Sequence, residues 1–139
     1  KLVILGREMG LAIGLEDVPI ENLVPSALLS VSVEEYLERL PEFDGAMRAR
    51  FEAARGKGKV LRHIGRVSAE GTASVGVAEV DAAHPFANLA LTDNIVRFQT
   101  RRYNSNPLIV QGPGAGPDVT AAGVFADLLR LAAYLGARM

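Results

Sequence analysis

Residues 119–135 constrain this chain more than any other stretch. They are apolar at nearly every step, and Asp127 and Arg130 are their only charges. Such a run reads as a helix with no polar side, which has to be covered around most of its circumference. A chain of 139 residues is long enough for one domain with a core of its own. It is short for wrapping a terminal helix that completely. The helix is therefore expected to pack against something beyond these residues, either another domain or a partner subunit.

The opposite end carries a related signal. Leu2, Leu5, Met9, Ala12 and Ile13 recur at three- and four-residue steps, the pattern of an amphipathic helix. No Ser, Thr, Asp or Asn stands ahead of it to cap the free N–H groups. The expectation is that the chain is the later part of a longer protein, divided inside a helix. Residues 17–24 follow, with Val18, Ile20 and Leu23 as inward positions of an edge strand, since Pro19 bars a central one. Ser32 precedes Glu35 by three residues, a capping box that opens a helix with Val33, Tyr36, Leu37 and Leu40. Pro41 interrupts it. A second helical stretch over residues 42–55 places Phe43, Met47, Phe51 and Ala54 inward and ends at Gly56-Lys57-Gly58.

Strand patterns come next. Residues 59–67 and 72–80 flank Ser68-Ala69-Glu70-Gly71, a hairpin signal. Ala73, Val75 and Val77 give the second strand one apolar face, and the other face is small, suited to close contact with another sheet or subunit. Residues 94–103 read as a further strand and residues 108–111 as a short buried one, followed by a glycine-rich loop and the last helix. The class is α+β: helices packed on a mostly antiparallel or mixed sheet, then a closing helix.

Composition narrows the functions available. Lys and Arg number 15 against 16 Asp and Glu, a net charge of −1, so no positive field exists to hold nucleic acid or an anionic membrane. The absence of cysteine removes disulfide scaffolds, thiolate metal sites and cysteine nucleophiles. No apolar run approaches the roughly 20 residues that span a bilayer. The default is a soluble cytoplasmic domain.

The stretch with most chemical content is strand, glycine loop, helix: Leu108-Ile-Val-Gln-Gly112-Pro-Gly114-Ala-Gly116-Pro-Asp118. Glycines at 112, 114 and 116 let the backbone turn sharply and let a ligand approach without a Cβ in the way. A helix starting near Pro117 aims free N–H groups at that space. The spacing is not a dinucleotide fingerprint, whose third glycine would fall at Val119, and no Gly-Lys-Ser/Thr makes it a phosphate loop. Asp118 would repel a phosphate. A ligand here is expected to present a neutral or cationic part, and a tight turn with no ligand is the plain alternative. Other candidates are weaker. His63 and His84 lack neighbouring ligands, so no metal site is expected. Arg97, Arg101 and Arg102 read as a solvated strand face. Lys1, at the start of an apolar helix, would be suited to proton transfer if drawn into a cleft.

These residues resemble a known family. The run Gly114-Ala-Gly116-Pro-Asp-Val-Thr120-Ala-Ala-Gly-Val-Phe-Ala-Asp-Leu-Leu-Arg130 is similar to the C-terminal end of homoserine dehydrogenases, most of all the bacterial bifunctional aspartokinase–homoserine dehydrogenases. Lys1-Leu-Val-Ile-Leu-Gly-Arg7 resembles the end of that family's central D-x-x-x-K motif, and Gly58-Lys-Val-Leu-Arg62 and His84-Pro-Phe-Ala-Asn-Leu89 also have counterparts. The resemblance implies an oxidoreductase interconverting L-aspartate semialdehyde and L-homoserine with NADP or NAD, on the route to threonine and methionine. It implies that Lys1 is the general acid/base and that Gly116 and Gly114 lie against the nicotinamide end of the cofactor. It further implies a substrate-binding and dimerisation part over residues 1–116, with residues 117–139 returning as a helix to a nucleotide-binding Rossmann domain ahead of Lys1. A homodimer or higher homo-oligomer through the sheet follows, and the 139 residues alone would be inactive. The rival reading, from another class, is a non-catalytic α+β interaction module that dimerises and binds no small molecule.

Overall fold

The computed structural model describes residues 1–90 and 92–136. They form two compact units, Lys1–Ala87 and Asn88–Met139. The class is α+β, with four α-helices and two antiparallel two-stranded sheets among the described residues.

The first unit is organised on a hairpin. β1 (Lys59–Val67) and β2 (Ala73–Asp81) pair antiparallel in a register running from Lys59↔Asp81 to Val67↔Ala73. The connection closes through Ser68 N–H to the Thr72 carbonyl and Gly71 N–H to the Ser68 carbonyl, with the Ser68 and Thr72 hydroxyls 2.8 Å apart. Gly71 has φ +87°, the left-handed conformation that the turn needs and glycine supplies. Ahead of the hairpin come α1 (Leu2–Glu8), α2 (Val33–Arg39) and α3 (Asp44–Gly56). Ser32 caps α2 as the sequence indicates, its Oγ accepting from Glu35 N–H at 3.2 Å. The Glu35 carboxylate, however, turns to Arg39 one helical turn on, at 2.9 Å. A single turn of 3-10 helix at Leu40–Phe43, with Pro41 in its first turn, joins α2 to α3.

Three expectations are corrected. α1 stops at Glu8, well short of Ile13: Gly10 adopts φ +87° and Leu11 N–H reaches back to the Gly6 carbonyl, so the chain reverses. Ile13 is buried all the same, from a loop that Arg7 Nε holds by its carbonyl at 2.9 Å. Residues 17–24 form no strand. They make one parallel bridge, Ile20 to Val75, and of the three expected inward positions only Val18 is buried. Met47 and Phe51 of α3 stay about half exposed, while Ala54 is buried.

The loop that replaced the expected strand closes the outer edge of β2. Val75 donates to the Pro19 carbonyl and accepts from Glu21 N–H. Val77 donates to Glu21 Oε2 at 2.8 Å and its carbonyl accepts from Arg50 Nη2 at 2.9 Å. Arg50 also pairs with Glu21 itself. An exposed strand edge is a template for unwanted pairing, and here a carboxylate and a guanidinium take up its polar groups.

The second unit contains β3 (Asp93–Phe98) paired antiparallel with β4 (Leu108–Pro113), then α4 (Pro117–Tyr134). β3 is shorter than the sequence pattern suggests, and β4 is not the buried strand expected: Leu108 and Val110 are exposed. α4 has no buried residue, and Val124, Phe125, Leu128, Leu131 and Tyr134 are all more than half exposed. The helix is apolar over most of its surface, as the pattern of residues 119–135 indicates. The last residues of the segment 117–139, residues 137–139, lie outside the described residues. Buried apolar side chains among the described residues are Ile13, Val18, Leu28, Ala54 and Val80, a thin core, and all belong to the first unit.

The Glu21 clasp carries a pH signature. The Arg50 guanidinium, then the Val77 N–H, bond the charged carboxylate and hold its pKa below the ordinary value. On acidification the unfolded chain takes up this proton first. The contribution to stability is therefore complete at neutral pH and is lost as pH falls from about 4.3, the ordinary Glu value, through the lower folded value. Glu21→Gln is expected to lower the melting temperature at pH 7 and to flatten its fall in that acid range. Because the pair is solvent-exposed, 1 M salt should shrink the difference. Thermal unfolding followed by circular dichroism from pH 3 to 7 measures both effects.

Candidate functional site

Lys1 stands immediately before α1 as its N-cap residue, with its carbonyl accepting from Leu5 N–H at 3.1 Å. It is exposed. α1 is a seven-residue helix without a side-chain cap, too short to hold itself. Its place is fixed by packing on β1. Gly6 is buried, and a Cβ added there would stand 3.0 Å from Ile13 Cγ2 and 3.5 Å from Val67 Cγ2. Leu2 lies over Gly65, where an added Cβ would be 3.3 Å from its Cδ1.

Gly114 and Gly116 belong to the second unit, in the loop between β4 and α4. Their glycine requirements differ. Gly116 takes φ +128° and ψ 153° as the N-cap of α4, a region essentially closed to other residues. A Cβ there would meet nothing within 4 Å, so its face is open. Gly114 leaves room for the Asn94 side chain: its Cβ would stand 1.8 Å from the Asn94 amide nitrogen and 2.7 Å from Asn94 Cγ, so the exposed amide would have to swing aside. Gly114 N–H donates to the Thr92 carbonyl at 3.3 Å, closing the loop on the start of β3. Gly112 pairs with Asn94 in the ladder and is likewise open where its Cβ would be.

Thr120 locks the helix start. Its N–H and its Oγ1 both donate to the Gly116 carbonyl, at 3.1 and 2.9 Å. Pro117, at the first helical position, has no N–H to satisfy. The next N–H groups, of Asp118 and Val119, have no partner within the helix. Together these residues make a side-chain-free shelf, two open glycines beside a helix N-terminus with Asp118 in its first turn.

These details decide how the comparisons with known proteins read. Residues 1–129 match the sequence profile of the family described as homoserine dehydrogenase. The chain belongs to the homoserine dehydrogenase family. It is 50% identical over 139 residues to an Arabidopsis thaliana bifunctional aspartokinase/homoserine dehydrogenase, covering 99% of this chain and 15% of that one. An Escherichia coli bifunctional enzyme is 44% identical, over 97% of this chain and 17% of that one. A homoserine dehydrogenase of Emericella nidulans is 48% identical, over 94% and 38%. The chain thus spans only a small part of the length of these relatives. Among solved structures, a Candida auris protein of unknown function superposes with a TM-score of 0.87 at 43% identity, over 95% of this chain and 37% of that one. A putative homoserine dehydrogenase from Archaeoglobus fulgidus gives 0.64 at 27% identity, over 94% and 33%.

In this homoserine dehydrogenase chain, Asn94 escaped the sequence reading. Its amide stands where a Cβ at residue 114 would be, just past the Asp93↔Pro113 end of the ladder. The loop gives a direct test. Gly116→Ala is expected to cost about 1–3 kcal/mol through the forbidden backbone conformation. Gly114→Ala should destabilise through its clash, and Asn94→Ala should relieve that loss in the double variant while leaving Gly116→Ala uncorrected. Urea unfolding of the four variants measures the coupling.

Proposed function

We propose that this chain supplies the substrate-binding and dimerisation part of an NAD(P)-dependent oxidoreductase that interconverts L-aspartate semialdehyde and L-homoserine. The observation that carries the reading is the family match across residues 1–129, with the glycine shelf built as described at its far end. In the proposed division of labour, residues 1–116 serve substrate binding and dimerisation. Residues 117–139 return to a nucleotide-binding domain, which agrees with the open apolar surface of α4. The β1–β2 sheet face where Ile64, Arg66, Ser74 and Ala78 line a hollow beside Glu21 is assigned the homodimer contact. NADP or NAD as the cofactor, a linked aspartokinase, a role in threonine and methionine biosynthesis and a cytoplasmic location complete the proposal. Among the described residues no helix is long and apolar enough to cross a membrane, and the plant relatives are named as chloroplastic.

The chemistry asked of the chain's own residues is a proton transfer and a fit. A bound nicotinamide supplies the hydride that reaches the aldehyde carbon. As that carbon is reduced, its oxygen becomes strongly basic, and the Lys1 ammonium donates the proton that makes it a hydroxyl. In the oxidation of homoserine the neutral Lys1 amine takes that proton back. Such proton transfer is worth about 10²–10⁴ in rate. Gly116, with Gly114 beside it, is assigned to the nicotinamide end of the cofactor, and at Gly116 a Cβ would meet nothing within 4 Å.

In the full reading frame that carries these residues, Lys1→Ala is expected to lower kcat for aspartate semialdehyde reduction by about 10²–10⁴, with NADPH binding retained. Lys1→Arg should not restore it, since a guanidinium does not give up its proton near neutral pH. The 139 residues alone should oxidise no NADPH. Absorbance of NADPH at its reduced-form band follows all three, and a fully active Lys1→Ala enzyme would remove Lys1 from the reaction.

A further inference from the structure

We propose that Gly6 and Gly65 are positioning residues for Lys1, setting the depth at which α1 rests on β1. The inference rests on the catalytic reading of Lys1 and extends it to residues that touch neither substrate nor cofactor.

The two glycines stand on opposite sides of one contact. Gly6 is the buried residue of α1, facing Val67 of β1 and Ile13 of the returning loop. Gly65 lies on β1, two residues from Val67 and therefore on the same face of the strand. Over it lies Leu2, the residue directly after Lys1, with Val75 of β2 as the other neighbour, 3.7 Å from where a Cβ would be. Neither glycine is demanded by its backbone, since positive φ angles occur at other glycines and not at these. What both provide is closeness. A helix and a strand approach further when no Cβ stands between them, and α1 is otherwise tied at its far end by the Arg7 Nε bond to the Ile13 carbonyl. It lacks a side-chain cap and has seven residues, and its Ile4 is 64% exposed. The first turn of α1 therefore inherits its position from this seat, and the Lys1 backbone is the start of that turn. Proton transfer demands heavy atoms within about 2.6–3.2 Å, so a shift of a few tenths of an ångström at Leu2 is felt at the ammonium.

The chemistry of the substitutions separates this from plain packing. Alanine is a better helix former than glycine, so Gly6→Ala strengthens α1 as a helix while lifting it from Val67 and Ile13. Gly65 is exposed apart from its contact with Leu2, so Gly65→Ala leaves the fold in place and moves Leu2. A role in positioning appears as lost turnover without a matching loss of stability.

The test uses the complete enzyme and steady-state kinetics beside melting temperature. Gly6→Ala and Gly65→Ala are each expected to lower kcat roughly tenfold, since misplacements of this kind range up to about a hundredfold. The KM for NADPH should not change. Leu2→Val, which removes a methylene over Gly65, should recover most of the loss in the Gly65→Ala background. Gly45→Ala, on α3 where a Cβ meets nothing within 4 Å, is the control and should leave kcat alone. If Gly6→Ala fails to fold, the Gly65→Ala and Leu2→Val pair carries the test. Unchanged kcat in both alanine variants, in an enzyme that Lys1→Ala inactivates, overturns the positioning role and leaves the catalytic reading standing. Full activity in Lys1→Ala overturns both. A lowered melting temperature with unchanged kcat assigns the glycines to packing alone and also overturns the proposal.

Discussion

In the first unit α1, α3 and the Pro19–Glu21 loop take their places from the antiparallel ladder between β1 and β2. The ladder spans nine residues on each strand, long enough to present two faces, an outer edge and an end. α1 rests on the face that carries Gly65 and Val67. The loop at Pro19–Glu21 and the Arg50 guanidinium close the outer edge of β2 at Val75 and Val77. Arg62, from the opposite face, donates to the carbonyls of Phe86 and Ala87 and so fixes the turn at the end of the unit. A shift of the register by one residue would exchange the faces and unseat all of these at once. The hairpin holds the unit together with few buried side chains because its polar edge and end are met by charged groups from afar.

The thin core has a functional counterpart. The chain buries small and medium apolar residues such as Ala54 and Val80 and leaves large ones open: Leu15, Val33, Leu37, Phe125 and Leu128 are all more than half exposed. Contiguous apolar surface on this scale marks contact surfaces. On α4 the open residues lie on more than one side of the helix, the arrangement of an element meant to be enclosed. Lys1 belongs to the first unit, and Gly112, Gly114 and Gly116 belong to the second.

How much of this was legible in the sequence depends on how local each determinant is. The Ser32 cap, the hairpin with its turn at residues 68–71 and the strand–glycine loop–helix at residues 108–134 are written in short-range chemistry, and the structure has them all. The family resemblance, carried by the run at residues 114–130, was legible for the same reason. What failed was long-range. The helical period through Ile13 gave no warning that Gly10 would reverse the chain. The alternation at residues 17–24 read as a strand, whereas Glu21 is spent on Arg50 and Val77, 29 and 56 residues away. Met47 and Phe51 have the spacing of a buried face, but that spacing only says that the face is apolar, not that this chain covers it. Asn94 was missed because its contact is with Gly114, in the loop beyond the ladder.

The central claim is that these residues carry the substrate side and the proton-transfer group of a homoserine dehydrogenase. The most direct measurement is a graft. The 139 residues replace their counterpart in the Arabidopsis bifunctional enzyme, 50% identical over that span, and homoserine-dependent NADP reduction is followed in the soluble, NADP-binding chimera. The account predicts turnover, with strict dependence on homoserine. A chimera that binds NADP and assembles like its parent, yet reduces none of it when homoserine is added, would contradict it.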